Sequence, residues 1–103
     1  MDKISGLKEI LELDPKNNFA RYGLAMELTR LGETEAALSE FDLLLANDPV
    51  YTAGYFMSAQ TLATAGLVPQ AVQRLKDGIS CAECSGNSHA ASEMQAMLDE
   101  LDR

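Results

Sequence analysis

Residues 14–49, DPKNNFARYGLAMELTRLGETEAALSEFDLLLANDP, begin and end on the same dipeptide, Asp14, Pro15 and Asp48, Pro49, at an offset of 34 residues. Between them lies an alanine-rich amphipathic pattern interrupted once, at Gly32. A fixed period of this size marks stacked helical hairpins. The same offset pairs Ala25 with Ala59, Leu28 with Leu62, Gly32 with Gly66 and Ala37 with Ala71. These four are the only identities between the two full copies, so the argument rests on where they fall. Two are small residues where helices cross closely, one is a core leucine, and one is a glycine suited to ending a helix.

Upstream of Pro15, residues 2–13 place Ile4, Leu7, Ile10 and Leu11 on one side and Lys3, Lys8, Glu9 and Glu12 on the other. That spacing predicts one amphipathic helix with a single buried stripe. At the same offset Ser5 matches Ser39 and Leu11 matches Leu45. The N-terminal helix therefore reads as the second helix of a pair whose first is absent. Pro15 cannot extend it, and Asn17 or Asn18 is placed to cap the next helix. That helix carries Leu24, Ala25, Leu28 and Leu31 inward and stops at Gly32. Glu33 and Glu35 then place negative charge at the start of a further helix, where the macrodipole favours it. Its inward side is Ala37, Leu38, Phe41, Leu44 and Leu45.

The second copy predicts a helix from Thr52 to Ala65 stopped by Gly66, then one from Val68 to Ser80 with Pro69 in its first turn. Ala71, Val72, Leu75 and Ile79 form the buried stripe of the latter. A loop is expected over Glu83–Ser88, and a last helix over Ser88–Leu101 with Ala91, Met94, Leu98 and Leu101 on one side. The sum is an all-α chain of about six helices. It divides into an orphan second helix (1–16), two repeats (18–51 and 52–85) and a capping helix (86–103) within one domain, 1–103. The outermost helices are apolar on one side only, as a soluble repeat stack requires, and the expectation is a complete small domain.

Composition narrows the function. Sixteen acidic residues against eight basic give a net charge of -8, which repels phosphate backbones and anionic membrane surfaces alike. Nucleic acid and membrane are therefore not expected partners. Met1, Asp2, Lys3 and Ile4 do not begin a signal peptide, and no stretch approaches 18 apolar residues, so the expected location is the cytoplasm. Aromatic residues make up 6% of the chain and tryptophan is absent, which suits a thin layer of packed helices.

The chain resembles a tetratricopeptide repeat protein, as a small stand-alone domain of bacterial type. In the first copy the family's motif positions are filled by Arg21, Leu24, Ala25, Leu28, Ala37, Phe41 and Pro49. In the second they are filled by Tyr55, Ser58, Ala59, Leu62, Ala71, Leu75 and Glu83. The departures are Arg21 for an aromatic, Ser58 for leucine, Leu75 for an aromatic and Glu83 for proline. Arg21 is expected to face the orphan helix, its stem over apolar surface and its charge in water.

The resemblance implies a right-handed superhelical stack of antiparallel helix pairs, whose first helices line a concave groove that binds a peptide or helical segment of a partner protein. Helical phase then supplies the lining. With Leu24, Ala25 and Leu28 turned inward, the remaining uncharged stripe is Phe19, Tyr22, Met26 and Thr29, with Arg30 beside it. Shifted by the repeat it becomes Ala53, Phe56, Gln60, Ala63 and Thr64, and shifted again Asn87, Ala90, Met94 and Met97. The candidate groove residues are thus Phe19, Tyr22, Met26, Arg30, Phe56 and Gln60, whose aromatic and thioether side chains offer adaptable apolar contact. Family members that clamp the carboxylate tails of heat-shock chaperones use cationic and amide donors, whereas here Tyr22, Met26, Met57 and Ala91 hold the matching positions. Recognition of such a tail is not expected.

Cys81 and Cys84 form a CxxC followed by His89. This is an incomplete zinc set, and the pair follows a helix C-terminus, where a catalytic thiolate is disfavoured. Plain reduced, partly buried cysteines are expected, with a disulfide under oxidising conditions and a bound metal as the alternatives; no cofactor is expected, and His89 is expected to pack or cap. No nucleophile elbow, phosphate-binding glycine loop or zinc-protease histidine pair occurs in the sequence, so no enzyme is expected. The leading expectation is a scaffold or adaptor that binds a protein segment. The alternative is a self-associating homodimer, through the groove or through an end helix at Ile4, Leu7 and Leu11 or at Leu98 and Leu101. A thiol or metal protein centred on Cys81 and Cys84 is the third.

Overall fold

The computed structural model describes residues 2–102; Met1 and Arg103, counted in the expected domain, lie outside the described residues. Six helices and no strand occur among the described residues: α1 (Lys3–Leu13), α2 (Asn18–Arg30), α3 (Thr34–Asn47), α4 (Thr52–Thr64), α5 (Val68–Cys84) and α6 (Ser88–Leu101). They form two compact units, α1–α3 and α4–α6, that meet in sequence at Asp48 and Pro49.

In the first unit each helix boundary has a local cause. Asp2 caps α1 by accepting the Ser5 N–H at 2.7 Å. The helix ends at Asp14 because a residue before proline is driven out of the helical region, here to φ -141 and ψ 79. Asp14 N–H still closes the last turn on Ile10 O at 2.8 Å. Asn17, not Asn18, then caps α2, accepting from Ala20 N–H at 3.0 Å. At the other end of α2, Gly32 takes φ 80, a left-handed conformation that only glycine adopts without cost. Gly32 N–H donates to Thr29 O at 3.0 Å and Glu33 N–H to Leu28 O at 2.9 Å, so orphan carbonyls of α2 are satisfied. The extended break recurs at Asp48, which ends α3 with φ -142 and ψ 88.

Leu11, Ala20, Leu24, Leu28 and Ala37 make the core of this unit, with Ile4 and Leu7 packed against it. Ile10 and Leu31, both expected inward, are exposed. Ile10 lies one residue, about 100°, from Leu11 and so falls on the flank of the α1 stripe. Leu31 follows the last helical residue, Arg30, and leaves the buried face with the cap.

The second unit repeats the scheme with one change of length. Gly66, at φ 82, ends α4 through Gly66 N–H to Ala63 O and Leu67 N–H to Leu62 O, 3.0 and 2.9 Å. Pro69 stands in the first turn of α5 as expected. That helix runs past Ser80 to Cys84, and the expected loop over Glu83–Ser88 shrinks to residues 85–87. Small polar residues do not stop a helix; Gly86 does, at φ 77, where Asn87 N–H reaches Ala82 O at 2.8 Å. Asn87 in turn caps α6 by accepting Ala90 N–H at 3.1 Å.

Ala59, Leu75, Ala82, Met94 and Leu98 form the second core, with Tyr55, Phe56, Val72 and Ile79 partly buried around it. Ser58 and Thr61, buried beside them, keep their hydroxyls bonded to the Tyr55 and Met57 carbonyls, 3.2 and 2.9 Å away. Gly78 is buried where α5 meets both neighbours: a methyl group there would lie 2.5 Å from Met94 Sδ and 2.6 Å from Tyr55 Cβ. Gly23 of α2 is different, since a methyl there would touch only the end of the Leu7 side chain, Cδ2 at 3.5 Å and Cδ1 at 3.8 Å. Substituting alanine at the two glycines should therefore have opposite effects in urea titrations. Gly78→Ala loses about 1–3 kcal/mol to overpacking, while Gly23→Ala gains roughly 0.5–1 kcal/mol from reduced unfolded-state freedom.

Candidate partner-binding faces

The first helix of each pair, α2 and α4, commits one side to its own core. In α2 that side is Ala20, Leu24, Ala25 and Leu28. Of the side chains left over, Phe19 is 83% exposed. Tyr22 is half-buried, its ring edge-on to the buried Phe41 of α3, with centroids 6.4 Å apart and planes at 69°. Met26 is half-buried. Arg30 is exposed and bonded within its own helix: Nε donates to Glu27 Oε1 at 3.0 Å, and Nη2 contacts the same oxygen. Lys3 Nζ approaches Glu27 Oε2 at 3.7 Å. The hydrogen bond from Arg30 holds the Glu27 carboxyl below its usual range, and the same bond raises the Arg30 guanidinium.

In α4 the core side is Gly54, Ser58, Ala59, Thr61 and Leu62. Phe56 is half-buried against the second core, and Gln60 is exposed. The expected third set, Asn87, Ala90, Met94 and Met97, does not form a matching face. Met94 is 1% exposed and central to the core, and Met97 packs against it. The cause is register: α2 and α4 begin 34 residues apart, at Asn18 and Thr52, but α4 and α6 begin 36 apart, at Thr52 and Ser88. The corresponding face of α6 is therefore the exposed series His89, Ser92 and Ala96. The glycine at 86, read as the helix stop, is the signal from which this register could have been found.

Other residues singled out by the sequence also find different surroundings. Arg21 is largely withdrawn from water: its side chain is 12% exposed, Nη1 lies 2.6 Å from Glu40 Oε1 of α3, and Nη2 donates to Pro15 O at 2.8 Å. Tyr55, one repeat later, donates its hydroxyl to Pro49 O at the same 2.8 Å. The arginine thus supplies the hydrogen bond that the aromatic residue makes in the second copy. His89 neither packs nor caps; it is exposed, with Nε2 2.7 Å from Glu93 Oε1. Cys81 and Cys84 occupy the last turn of α5 rather than a loop, and no disulfide joins them. Among the described residues no group of three or more His, Cys, Asp or Glu is placed to hold a metal ion, and no helix is long and apolar enough to cross a membrane.

Helical hairpins repeated at a fixed period, each with a first helix that keeps aromatic surface outside its core, define a helical-repeat protein. The comparisons place it more narrowly. No protein-family model matches the chain. It is 30% identical over 100 residues to TPR repeat-containing protein PA0015 of Pseudomonas aeruginosa, covering 97% of this chain and 95% of that protein. The chain belongs to the tetratricopeptide-repeat family. The TPR2B domain of yeast Sti1, solved in complex with pHsp70, has the same fold (TM-score 0.88, 15% identity, 96% of this chain and 79% of that one). So does PcrH, solved with the chaperone binding region of PopD (TM-score 0.87, 19% identity, 96% and 75%).

Two measurements check the electrostatics of these faces. Arg21→Ala removes the partner of a largely buried carboxylate and a bond to Pro15 O. It should cost about 1.5–3 kcal/mol in urea denaturation, most of it recovered in an Arg21→Tyr, Glu40→Gln double variant. For Glu27 the folded-state pKa is depressed, so its contribution is present above the unfolded-state pKa and lost as the pH falls through the folded value. Glu27→Gln should therefore lower the Tm at pH 7, and the gap to the wild type should close along an acid series monitored by circular dichroism.

Proposed function

We propose that the chain is a scaffold or adaptor module that binds a peptide or helical segment of a partner protein. The contact residues are Phe19, Tyr22, Met26 and Arg30 on α2 and Phe56 and Gln60 on α4. One observation carries this reading: Phe19 stands 83% exposed on a helix whose opposite side already supplies the core. A ring of that size left in water has no role in the packing of its own unit, and aromatic anchors are the residues that dominate binding energy at protein interfaces. The complexes formed by the TPR2B domain of Sti1 and by PcrH, on the same fold, support an interaction role.

Contact on this reading is apolar rather than ionic. Arg30 is already bonded to Glu27, so it is not a lone cation awaiting a terminal carboxylate. The side chains that would have paired two copies through the end helices are used elsewhere: Leu11 and Leu98 are buried, and Ile4, Leu7 and Leu101 pack against the cores.

Affinity capture from native lysate tests the proposal, with Phe19→Ala and Leu13→Ala as paired baits. Leu13 of α1 is 90% exposed, more even than Phe19, but lies off the proposed face. Both variants should unfold within about 0.5 kcal/mol of the wild type, as exposed substitutions do. Phe19→Ala should weaken capture of the partner roughly 30-fold, the loss of an aromatic anchor worth about 2 kcal/mol. Leu13→Ala should leave it unchanged. The reverse pattern would show that α2 does not carry the contact.

A further inference from the structure

The CxxC of α5 is not used by the reading above, and its surroundings are specific. Cys84 is exposed, one turn after Cys81, which is half-buried. Cys81 Sγ donates to Pro49 O at 3.0 Å, a carbonyl that also accepts the Tyr55 hydroxyl at 2.8 Å. The turn that carries the two thiols is closed by Ser85 N–H to Cys81 O and Asn87 N–H to Ala82 O, 3.0 and 2.8 Å. We propose that Cys81 and Cys84 form a reversible intramolecular disulfide, making the last turn of α5 a redox modification site for small-molecule disulfides.

Residues three apart in a helix have Cα atoms about 5 Å apart, inside the roughly 4.4–6.8 Å window of a disulfide. Their Cβ atoms, about 5–6 Å apart in a regular helix, must close to about 3.8 Å. The last turn has to tighten for the bond to form, against the hydrogen bonds that close it. A disulfide formed against those bonds is strained and readily reduced, which makes the site reversible. Cys81 can leave Pro49 O without orphaning that carbonyl, because the Tyr55 hydroxyl remains on it.

The chemistry is two thiol–disulfide exchanges with a disulfide RSSR. The exposed Cys84 sulfur, as thiolate, attacks one sulfur of RSSR; the S–S bond breaks, one RS⁻ leaves, and Cys84 carries a mixed disulfide. Cys81, as thiolate, attacks the Cys84 sulfur, the second RS⁻ leaves, and the Cys81–Cys84 bond is made. The two protons of the protein thiols end on the two released thiols, and the oxidant is reduced by the two electrons the protein loses.

Incubation of the full chain with oxidised glutathione, followed by alkylation and intact mass measurement, tests the proposal. The expected product is a monomer lighter by two hydrogens, without a glutathione adduct, and resistant to alkylation at both cysteines. Cys81→Ser should instead keep a stable glutathione adduct on Cys84, and added dithiothreitol should restore the reduced wild type. In the oxidised wild type the Ser85 and Asn87 amides should exchange hydrogen faster, because the turn they close has moved. A wild type that stays as the Cys84 adduct, that dimerises, or that remains reduced while Cys81→Ser takes up glutathione would overturn the assignment. Unchanged exchange at Ser85 and Asn87 in a disulfide-bonded chain would overturn the coupling to the helix end.

Discussion

A proline carbonyl is the fixed point at the entry of the first helix of each pair, α2 and α4. Pro15 and Pro49 follow an aspartate that proline itself holds in an extended conformation, so the preceding helix must stop and the proline oxygen is left without a helical donor. Six residues later the next helix returns a side-chain donor to that oxygen: Arg21 Nη2 in one unit and the Tyr55 hydroxyl in the other. The bond ties the second turn of the incoming helix to the turn that precedes it, and so constrains the direction in which the helix sets out. Two residue types with little in common do the same work because the geometry asks only for a donor at the end of a long side chain. The arginine brings a charge with it, and Glu40 is the compensation, since a guanidinium largely withdrawn from water needs a partner.

Helix existence and most boundaries were legible in the sequence because their causes are local. Proline after aspartate, glycine in the left-handed region and asparagine at an N-cap each act within a few residues, so α1 to α4 and α6 begin and end close to where the spacing predicts. The end of α5 lies four residues beyond the expected Ser80 because the small and polar residues from Glu83 onward read as a loop, although Gly86 carries the same stop signal as Gly32 and Gly66. Partners distant in sequence were not legible. Nothing around Arg21 announces Glu40, nineteen positions on, and nothing around Gly78 announces that Tyr55 and Met94 converge on it.

The candidate faces were legible to a different degree. Phase alone separates the core side of α2 from the side bearing Phe19, Tyr22 and Met26, because Leu24, Ala25 and Leu28 fix the inward direction. Phase does not say how far a ring beside the core leans into it. Tyr22 rests on Phe41 and Phe56 on the second core, so each divides its surface between stability and solvent, whereas Phe19 does not. The charge on Arg30 was visible; its bond to Glu27 follows from the i, i+3 spacing that a helix brings together.

Register explains why the aromatic face is confined to the first helices of the two full repeats. At 100° per residue, two extra residues between the starts of α4 and α6 turn the pattern by about 200°, enough to exchange the two sides of a helix. Met94 then replaces the position held by Ser58 in α4, and Leu98 that of Leu62; both members of each pair are buried. The volume that methionine adds over serine has to be found somewhere, and Gly78 supplies it, standing where Leu44 stands in the first copy and leaving Met94 Sδ room against α5. A longer α5, a rotated α6, a methionine in the core and a glycine opposite it are thus one correlated change. Its outward consequence is that α6 shows solvent His89, Ser92 and Ala96, a series with no large apolar side chain to anchor a partner.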